Sequence, residues 1–542
     1  MLIKDIDRYI LTRPDVRESL EYNVVRKNPL RVSSRIAFIY PSLYDVMLSS
    51  LAVDMIYFLV NEIEDVYLER FHVRSLKGYE KDPRSLETRS PLKDFDLYIS
   101  SIHYEPDIVN LVNLLESGGI HPLRRERKKI LILGGPGVMA NPIPFEDIAD
   151  VFVIGEIENT MKEIIELFLE YKDDKKRFLE KISDLSYVYV PEYTEGFVKR
   201  SYVKDLDESF YPIRQIENIE IEPVYGRGFK LEISRGCKHW CSFCFESRLF
   251  QPYRERSLQR LKEIVEKGSR YTLGGKRIII YSLLMPASID QIRFLEYLVE
   301  NGYKASIPSL RINDLFLNTD FLDLVSLLGQ RTIVTAPETF SLKIQKTYFK
   351  YIEPETHLLS KLMYIIDRGF DLKIYMIYGA KWEKMEDIKT SIDAIKKIAR
   401  YSKERGRSLS VSLNPLMPRP KTLFQWIGMR ELDQLKNILR IFREELGGII
   451  DLRPLDLEWS LIQTSISLSP RPLGELIIEW SREGRGASSW IRILKRHNID
   501  LRYVFEGYKY GDVLPWDRII IGENVEEVAK KQYETLNMIL SR

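Results

Sequence analysis

All three cysteines of this 542-residue chain fall within eight positions, as Cys237, Cys241 and Cys244 in "EISRGCKHWCSFCFES". An odd number of thiols spaced this closely cannot form a disulfide framework, which leaves metal ligation as the natural chemistry. A four-iron, four-sulfur cluster is normally held by four thiolates, so three would leave one iron without a protein ligand and open to a small molecule. The same loop offers His239, and Cys with His makes a tetrahedral zinc set, the mark of a zinc-stabilised, non-catalytic binding module. The sequence on either side of the loop must decide between the two.

The Cys-x-x-x-Cys-x-x-Cys spacing, with Phe243 just before the last cysteine, resembles the signature loop of the radical S-adenosylmethionine (SAM) superfamily. The resemblance implies that Cys237, Cys241 and Cys244 hold a 4Fe-4S cluster, that SAM chelates its fourth iron, and that Phe243 packs beside the adenine. It implies further that an electron, from a donor such as ferredoxin or flavodoxin, cleaves SAM to methionine and a 5'-deoxyadenosyl radical.

Such a loop should follow the first strand of a partial barrel of strand–helix repeats, with function gathered at the C-terminal strand ends. "FKLEIS" reads as the strand before the loop and "ERSLQRLKEIVEKGSRY" as an amphipathic helix after it. "KRIIIYSLL", "KASIPSL", "TIVTAPE", "LKIYMIYGA" and "SLSVSLNPLMP" read as further strands, separated by helical stretches such as "SIDQIRFLEYLVENGY" and "ETHLLSKLMYIIDRGF". Apolar residues recur every three or four positions in the helices and run almost unbroken in the strands. The fold class is α/β, with six strands of a partial (βα)6 radical SAM barrel over residues 226–420.

Several of these strand ends match positions at which superfamily members contact SAM. Glu338, ending "TAPE", matches a ribose or amino contact; Gly379 in "YMIYGAKWE" matches a glycine that admits the adenine, and Glu383 the acid that closes that motif. Glycine suits such close approach. The plainer readings are a surface carboxylate for Glu338 and a helix-start acid for Glu383. "YSLLMPAS" lacks the Gly-Gly-Glu that commonly holds the SAM amino group, which leaves Ser282 as a substitute. No catalytic residue is assigned.

Residues 31–172 alternate in the same way, with strands at "RIAFIYP", "VYLERFHV", "DLYISSI", "KKILILGGPG" and "DVFVIGE". "YDVMLSSLAVDMIYFLVNEI", "EPDIVNLVNLLESGGI" and "NTMKEIIELFLEYK" read as the helices. This predicts a doubly wound parallel sheet that binds ligands beyond its carboxyl strand ends, where Gly134 and Gly135 of "LGGPGVMANP" form a glycine-rich turn. A sheet ahead of a cysteine loop is similar to the order in cobalamin-binding radical SAM proteins. The likeness is greatest to an uncharacterised subgroup, in "SPLKDFDLYISSIHYEPDIVNLVNLLESGGIHPL", "ILGGPGVMANPIPFEDIADVFVIGEIE", "SIPSLRIND", "TAPE", "PRPKTLFQW" and "LPWDRIIIGE". That family's cobalamin domains often supply an Asp-x-His-x-x-Gly histidine after the first strand, where this chain reads "YPSLYDVMLSS". Either cobalamin binds without a protein histidine ligand, or the domain keeps the fold without the cofactor. His103 and Tyr104, at a strand end, are placed at the domain interface or in ordinary structural roles.

The remaining parts are an N-terminal segment (1–30), a linker (173–225) and a mainly helical extension (421–542). In the extension, Arg482, Arg485, Arg492, Lys495 and Arg496 lie among Trp490, Tyr503 and Tyr508. Two readings stand: an RNA surface, or a helical cap whose aromatics pack on the barrel. With 81 basic against 79 acidic residues, no global field argues for nucleic acid or membrane. "MLIKDIDRYILTRPDVRESL" lacks a signal-peptide core, no apolar run suggests a membrane span, and the cysteine usage suits the cytoplasm. Many charged residues, much Tyr and Ile, and few His, Gln and Cys suit a thermophile. With three cysteines there is none for a second cluster or a methyl-carrying thiol. What is left is an oxidoreductase using the radical directly or a methyltransferase pairing it with methylcobalamin, on a substrate that is RNA, protein, lipid or small metabolite.

Overall fold

The computed structural model describes residues 20–76, 79–316 and 321–541, so most of the stretch read for a signal peptide lies outside the described residues. The first alternating region forms one sheet from β1 (Ser34–Tyr40), β2 (Val66–His72), β3 (Leu97–Ser101), β4 (Ile130–Gly134), β5 (Val151–Val153) and β6 (Val188–Tyr189). Its order is β2-β1-β3-β4-β5-β6, parallel except for β6 at the edge. Near-continuous apolar runs give strands covered on both faces: Ala37 and Ile39 face one core, Ile36 and Phe38 the other. The charges of "VYLERFHV" are also buried. Arg70 pairs with Glu21 and Glu87, at 2.7 and 2.6 Å, and Glu69 with Arg35.

The first helical run is two helices, α1 (Tyr44–Ser49) and α2 (Leu51–Asn61), broken at Ser50, whose backbone is extended. Ser49 Oγ donates to the Asp45 carbonyl, the local competition that weakens helix interiors at serine. The carbonyls beside the break are taken by the second sheet, Leu48 O by Lys230 Nζ at 2.8 Å and Ser49 O by the Tyr281 hydroxyl at 2.6 Å. Helices α3 (Ile108–Ser117) and α4 (Met161–Tyr171) follow as expected.

The second region runs β7 (Phe229–Glu232), α5 (Leu258–Gly268), β8 (Arg277–Tyr281), α6 (Ile289–Glu300), β9 (Lys304–Ser306), α7 (Phe321–Leu327) and β10 (Thr332–Glu338). It continues with α8 (Leu342–Tyr348), α9 (Glu355–Asp367), β11 (Asp371–Tyr378), α10 (Met385–Glu404) and β12 (Leu409–Pro415). Beyond the six expected strands, α11 (Leu432–Leu446) leads to a seventh, β13 (Asp451–Pro454). All seven are parallel, in order β7-β8-β9 and β10-β11-β12-β13, and a Leu310–Thr335 bridge joins the two groups. Strand β9 is shorter than "KASIPSL" because Pro308 lacks a ladder donor. Ser257, Ser288 and Ser341 cap α5, α6 and α8 by accepting from backbone N–H groups.

The segment read as a linker is built into the fold. It contributes β6, and Val198–Lys199 pairs in parallel with Ile519–Ile520 of the C-terminal region. The extension forms α12 (Leu457–Ser467), α13 (Gly474–Arg482), α14 (Ala487–Arg496) and α15 (Val525–Leu540). Trp480 and Trp490 are fully buried, but in the core of the first sheet beside Leu111 and Leu131, so this part of the cap covers the first sheet. Among the described residues no helix is long and apolar enough to cross a membrane.

Candidate functional site

Strand β7 delivers the chain to the cysteine loop, at the carboxyl edge of the second sheet. Ser234–Arg235 pairs antiparallel with Arg254–Glu255, and Gly236 turns the chain with φ +84°. A Cβ at Gly236 would lie 2.4 Å from the Phe250 carbonyl, so only glycine fits. Arg235 is held by Glu156 and Glu158, both at 2.7 Å, and by Glu232 at 2.9 Å. Glu156, just past β5 of the first sheet, also binds Arg200 at 3.1 Å and Arg254 at 2.8 Å. The strand that presents the cysteines is thereby fastened to the first sheet.

All three cysteines are free thiols; Cys241 is buried and Cys237 and Cys244 are partly so. Two residues missed in the sequence stand over them. Arg311 Nη1 is 3.7 Å from Cys241 Sγ, and Lys350 Nζ donates to Glu338 Oε1 at 2.8 Å. Both cations lie over the Tyr351 ring, at 4.5 and 4.9 Å, and Lys350 is 5.8 Å from the centre of Phe243. Burial opposes charge on Lys350, but Glu338 overrides it and raises the Lys350 pKa. Burial raises the pKa of Glu338 against the pull of Lys350 and Arg311. Glu338 is therefore no surface carboxylate: it is buried, follows a register shift in β10, and has φ +65°. Phe243 packs edge-on against Tyr348 at 5.4 Å.

The other sequence-selected residues are placed as follows. Gly379 ends β11 with φ +91°, and a Cβ there would lie 2.4 Å from Leu435 Cδ2. Glu383 is buried, its Oε2 accepts from the Gly379 N–H at 2.5 Å, and burial raises its pKa to about 7. It precedes α10 and braces the glycine turn. Ser282 follows β8, with its hydroxyl 2.7 Å from both Ser234 Oγ and the Leu284 carbonyl. His239 Nε2 faces Asp314 at 3.8 Å. Among the described residues no group of three or more His, Cys, Asp or Glu could hold a metal ion as the side chains stand. A Cβ at Gly135 would meet Ser101 Oγ at 2.6 Å and Ile102 O at 2.7 Å, whereas one at Gly134 would meet only Val153 O, at 3.7 Å.

The carboxyl ends of the two sheets face each other. Tyr225, just before β7, stands 6.2 Å from Tyr281, the last residue of β8, and raises the pKa of Tyr281 and of Tyr40 at the end of β1 in addition to burial, the larger cause in both. Glu105, beyond β3, is buried against Arg419 and Gln463, and Arg419 lies 4.2 Å over Phe245 of the cysteine loop. His103, beside this contact, is exposed, and desolvation lowers its pKa. The basic residues of the extension are largely paired: Arg482 with Glu116 at 2.7 Å, Arg492 with Glu483 at 3.6 Å, Arg496 with Glu479 and Glu483. Arg485 donates to Asn110 and the Ser75 carbonyl, and the hydroxyls of Tyr503 and Tyr508 to the carbonyls of Ser465 and Leu468. These contacts favour a packed cap over an RNA surface.

Comparison with known proteins agrees with this arrangement. Residues 52–191 match the family model "Radical SAM proteins, N-terminal". The uncharacterized protein MJ0966 of Methanocaldococcus jannaschii is 28% identical over 401 residues, 73% of this chain and 80% of that protein. The cobalamin-dependent SAM radical enzyme OxsB, solved with aqua-cobalamin and SAM, shares the fold at TM-score 0.50 and 13% identity, over 94% of this chain and 80% of its own. Its structure with aqua-cobalamin alone gives the same TM-score at 12% identity. The family-model match over residues 52–191, and the mixed α/β fold of parallel sheets shared with OxsB, make this chain similar to radical SAM proteins.

Proposed function

We propose that this chain is a radical SAM enzyme in which Cys237, Cys241 and Cys244 hold a 4Fe-4S cluster and SAM binds at the open iron. The observation that carries the reading is the placement of Arg311, 3.7 Å from Cys241 Sγ, and of the Lys350–Glu338 pair beside the one loop that bears all three thiols. When bound and reduced, the cluster supplies the electron that splits SAM into methionine and a 5'-deoxyadenosyl radical. The donor set fits such a cluster: three unbridged thiols on one loop, with burial raising the pKa of Cys237 and pushing that of Cys244 up to about 11, so that protons leave as metal binds. Arg311 and Lys350 are the cations available to the SAM carboxylate. Glu338 accepts from the ribose or amino group and Phe243 offers an apolar ring to the adenine, whereas Gly379 does not fit as an open approach, because Leu435 already fills the space over it. Ser282 reaches SAM only by sharing an oxygen already bonded to Ser234 and Leu284.

In this reading residues 31–172 and 226–420 are the two functional units, and an electron donor such as ferredoxin or flavodoxin docks near the cluster. Cobalamin enters the proposal as a ligand of the space between the sheets, bound without a protein histidine. The Gly134–Gly135 turn does not fit as its cradle, because Ser101 and Ile102 already fill the space over Gly135. No step is derived through cobalamin.

Anaerobic reconstitution tests the proposal. Wild-type protein takes up about four irons per chain with broad visible absorbance, and cleaves SAM on reduction. Cys241→Ala loses both, with an unchanged far-UV circular dichroism spectrum. Colourless protein that retains zinc would overturn the reading in favour of a zinc-stabilised module.

A further inference from the structure

The cysteine loop is gripped by the far end of the chain. Helix α15 buries Val525, Ala529, Gln532 and Leu536, a stripe at spacings of three and four that is apolar except for one amide. An amide on such a stripe costs stability unless both its ends are bonded. Gln532 Oε1 accepts from Arg248 Nη2 at 2.6 Å, and its Nε2 donates to the Trp240 carbonyl at 2.5 Å. Arg248 is fully buried, and its Nη1 donates to the carbonyls of Cys241 and Cys244, both at 2.8 Å. From the other side, Ser242 N and Oγ donate to the carbonyls of Tyr348 and Thr347, at 3.0 and 2.9 Å. The Cys237 carbonyl is held separately, by Gln251 Nε2 at 2.8 Å.

We propose that Gln532 is a positioning residue of the cysteine loop, acting through Arg248 and the Trp240 carbonyl to fix the backbone that carries Cys241 and Cys244. The significance of the clamp rests on the reading of the loop as a cluster site, since ligands must be held within about 0.5 Å of their working geometry by the groups behind them. Its first test needs no metal. In the apo-protein each cysteine is alkylated with iodoacetamide and followed by peptide mass spectrometry. Gln532→Leu keeps the volume but leaves Arg248 Nη2 and the Trp240 carbonyl unpaired. A lost buried bond of this kind shifts local opening by about tenfold, so Cys241 and Cys244 should react about tenfold faster while Cys237 stays within about twofold.

Gln532→Glu keeps the acceptor for Arg248 and loses the donor to Trp240, so Cys241 should react about threefold faster than wild type, between wild type and the Leu variant. Wild-type rates in the Leu variant, equal rates in the Leu and Glu variants, or parallel acceleration of all three cysteines would overturn the proposal. If the Leu variant does not fold, the Glu variant decides: its Cys241 must outpace wild type with Cys237 unchanged, and wild-type rates there overturn the clamp. After anaerobic reconstitution, the reduced Gln532→Leu cluster should show an altered electron paramagnetic resonance spectrum at undiminished iron content. Wild-type protein that takes up no iron overturns the proposed function and leaves the clamp to be judged by alkylation.

Discussion

Replacing Glu156 by Gln should weaken the attachment of the first sheet to the cysteine-bearing strand by roughly 3 kcal/mol at neutral pH, and by progressively less as acid is added. The carboxylate is buried among Arg200, Arg235 and Arg254 and also accepts from the Val203 N–H at 2.8 Å. Desolvation acts to raise its pKa, but the Arg235 charge, the hydrogen bond and charge of Arg254 and the Val203 N–H together bring it from 4.5 down to about 2. At about 1.4 kcal/mol per pH unit this gives the figure above. Because the folded-state pKa is the lower one, the stabilisation is complete above pH 4.5 and is lost as pH falls from there towards about 2. The uncompensated guanidinium groups left in the variant add to the loss at neutral pH. Urea unfolding followed by tryptophan fluorescence at pH 7 and pH 3 reads the difference between wild type and Glu156→Gln, which should shrink to roughly half or less at the lower pH. A difference that stays constant between the two pH values, or is below about 0.5 kcal/mol at pH 7, refutes the account of this network.

Lys350→Met should weaken SAM binding to the reconstituted protein by roughly ten- to a hundredfold, measured by equilibrium dialysis, with Lys350→Arg much closer to wild type; an unchanged affinity removes Lys350 from the SAM site. Gly379→Ala should lower stability by about 1–3 kcal/mol, because it adds a Cβ at positive φ against Leu435; an unchanged melting temperature refutes that packing. Any cobalamin the protein retains should carry no protein nitrogen on cobalt, since the segment from Tyr40 to Ser50 offers no imidazole. Electron paramagnetic resonance of the cobalt(II) form should therefore lack nitrogen splitting from the protein, and splitting that disappears in His103→Ala would contradict this.

What the sequence by itself determined is what repeats with the period of an element or is confined to one loop. "RIAFIYP" is legible as a strand because burial on both faces demands an unbroken apolar run, and Cys237, Cys241 and Cys244 are legible because their spacing is local chemistry. The placement of Glu338 and Gly379 at strand ends followed from the same alternation. Arg311, Lys350, Arg248 and Gln532 were not legible as site residues. "SIPSLRIND" and "PRPKTLFQW" carry Arg311 and Arg419 within segments already recognised as family-like, a signal that could have drawn attention to both. The break at Ser50 and the reach of Gln532 to Trp240, 292 residues away, had no such signal. Tertiary structure decided these, along with the covering of the first sheet by Trp480 and Trp490. Local periodicity records which face of an element is buried, but not what it is buried against. A buried charge or amide is tolerable only where folding brings it a partner, and the identity of that partner depends on the packing of the two sheets and the C-terminal helices.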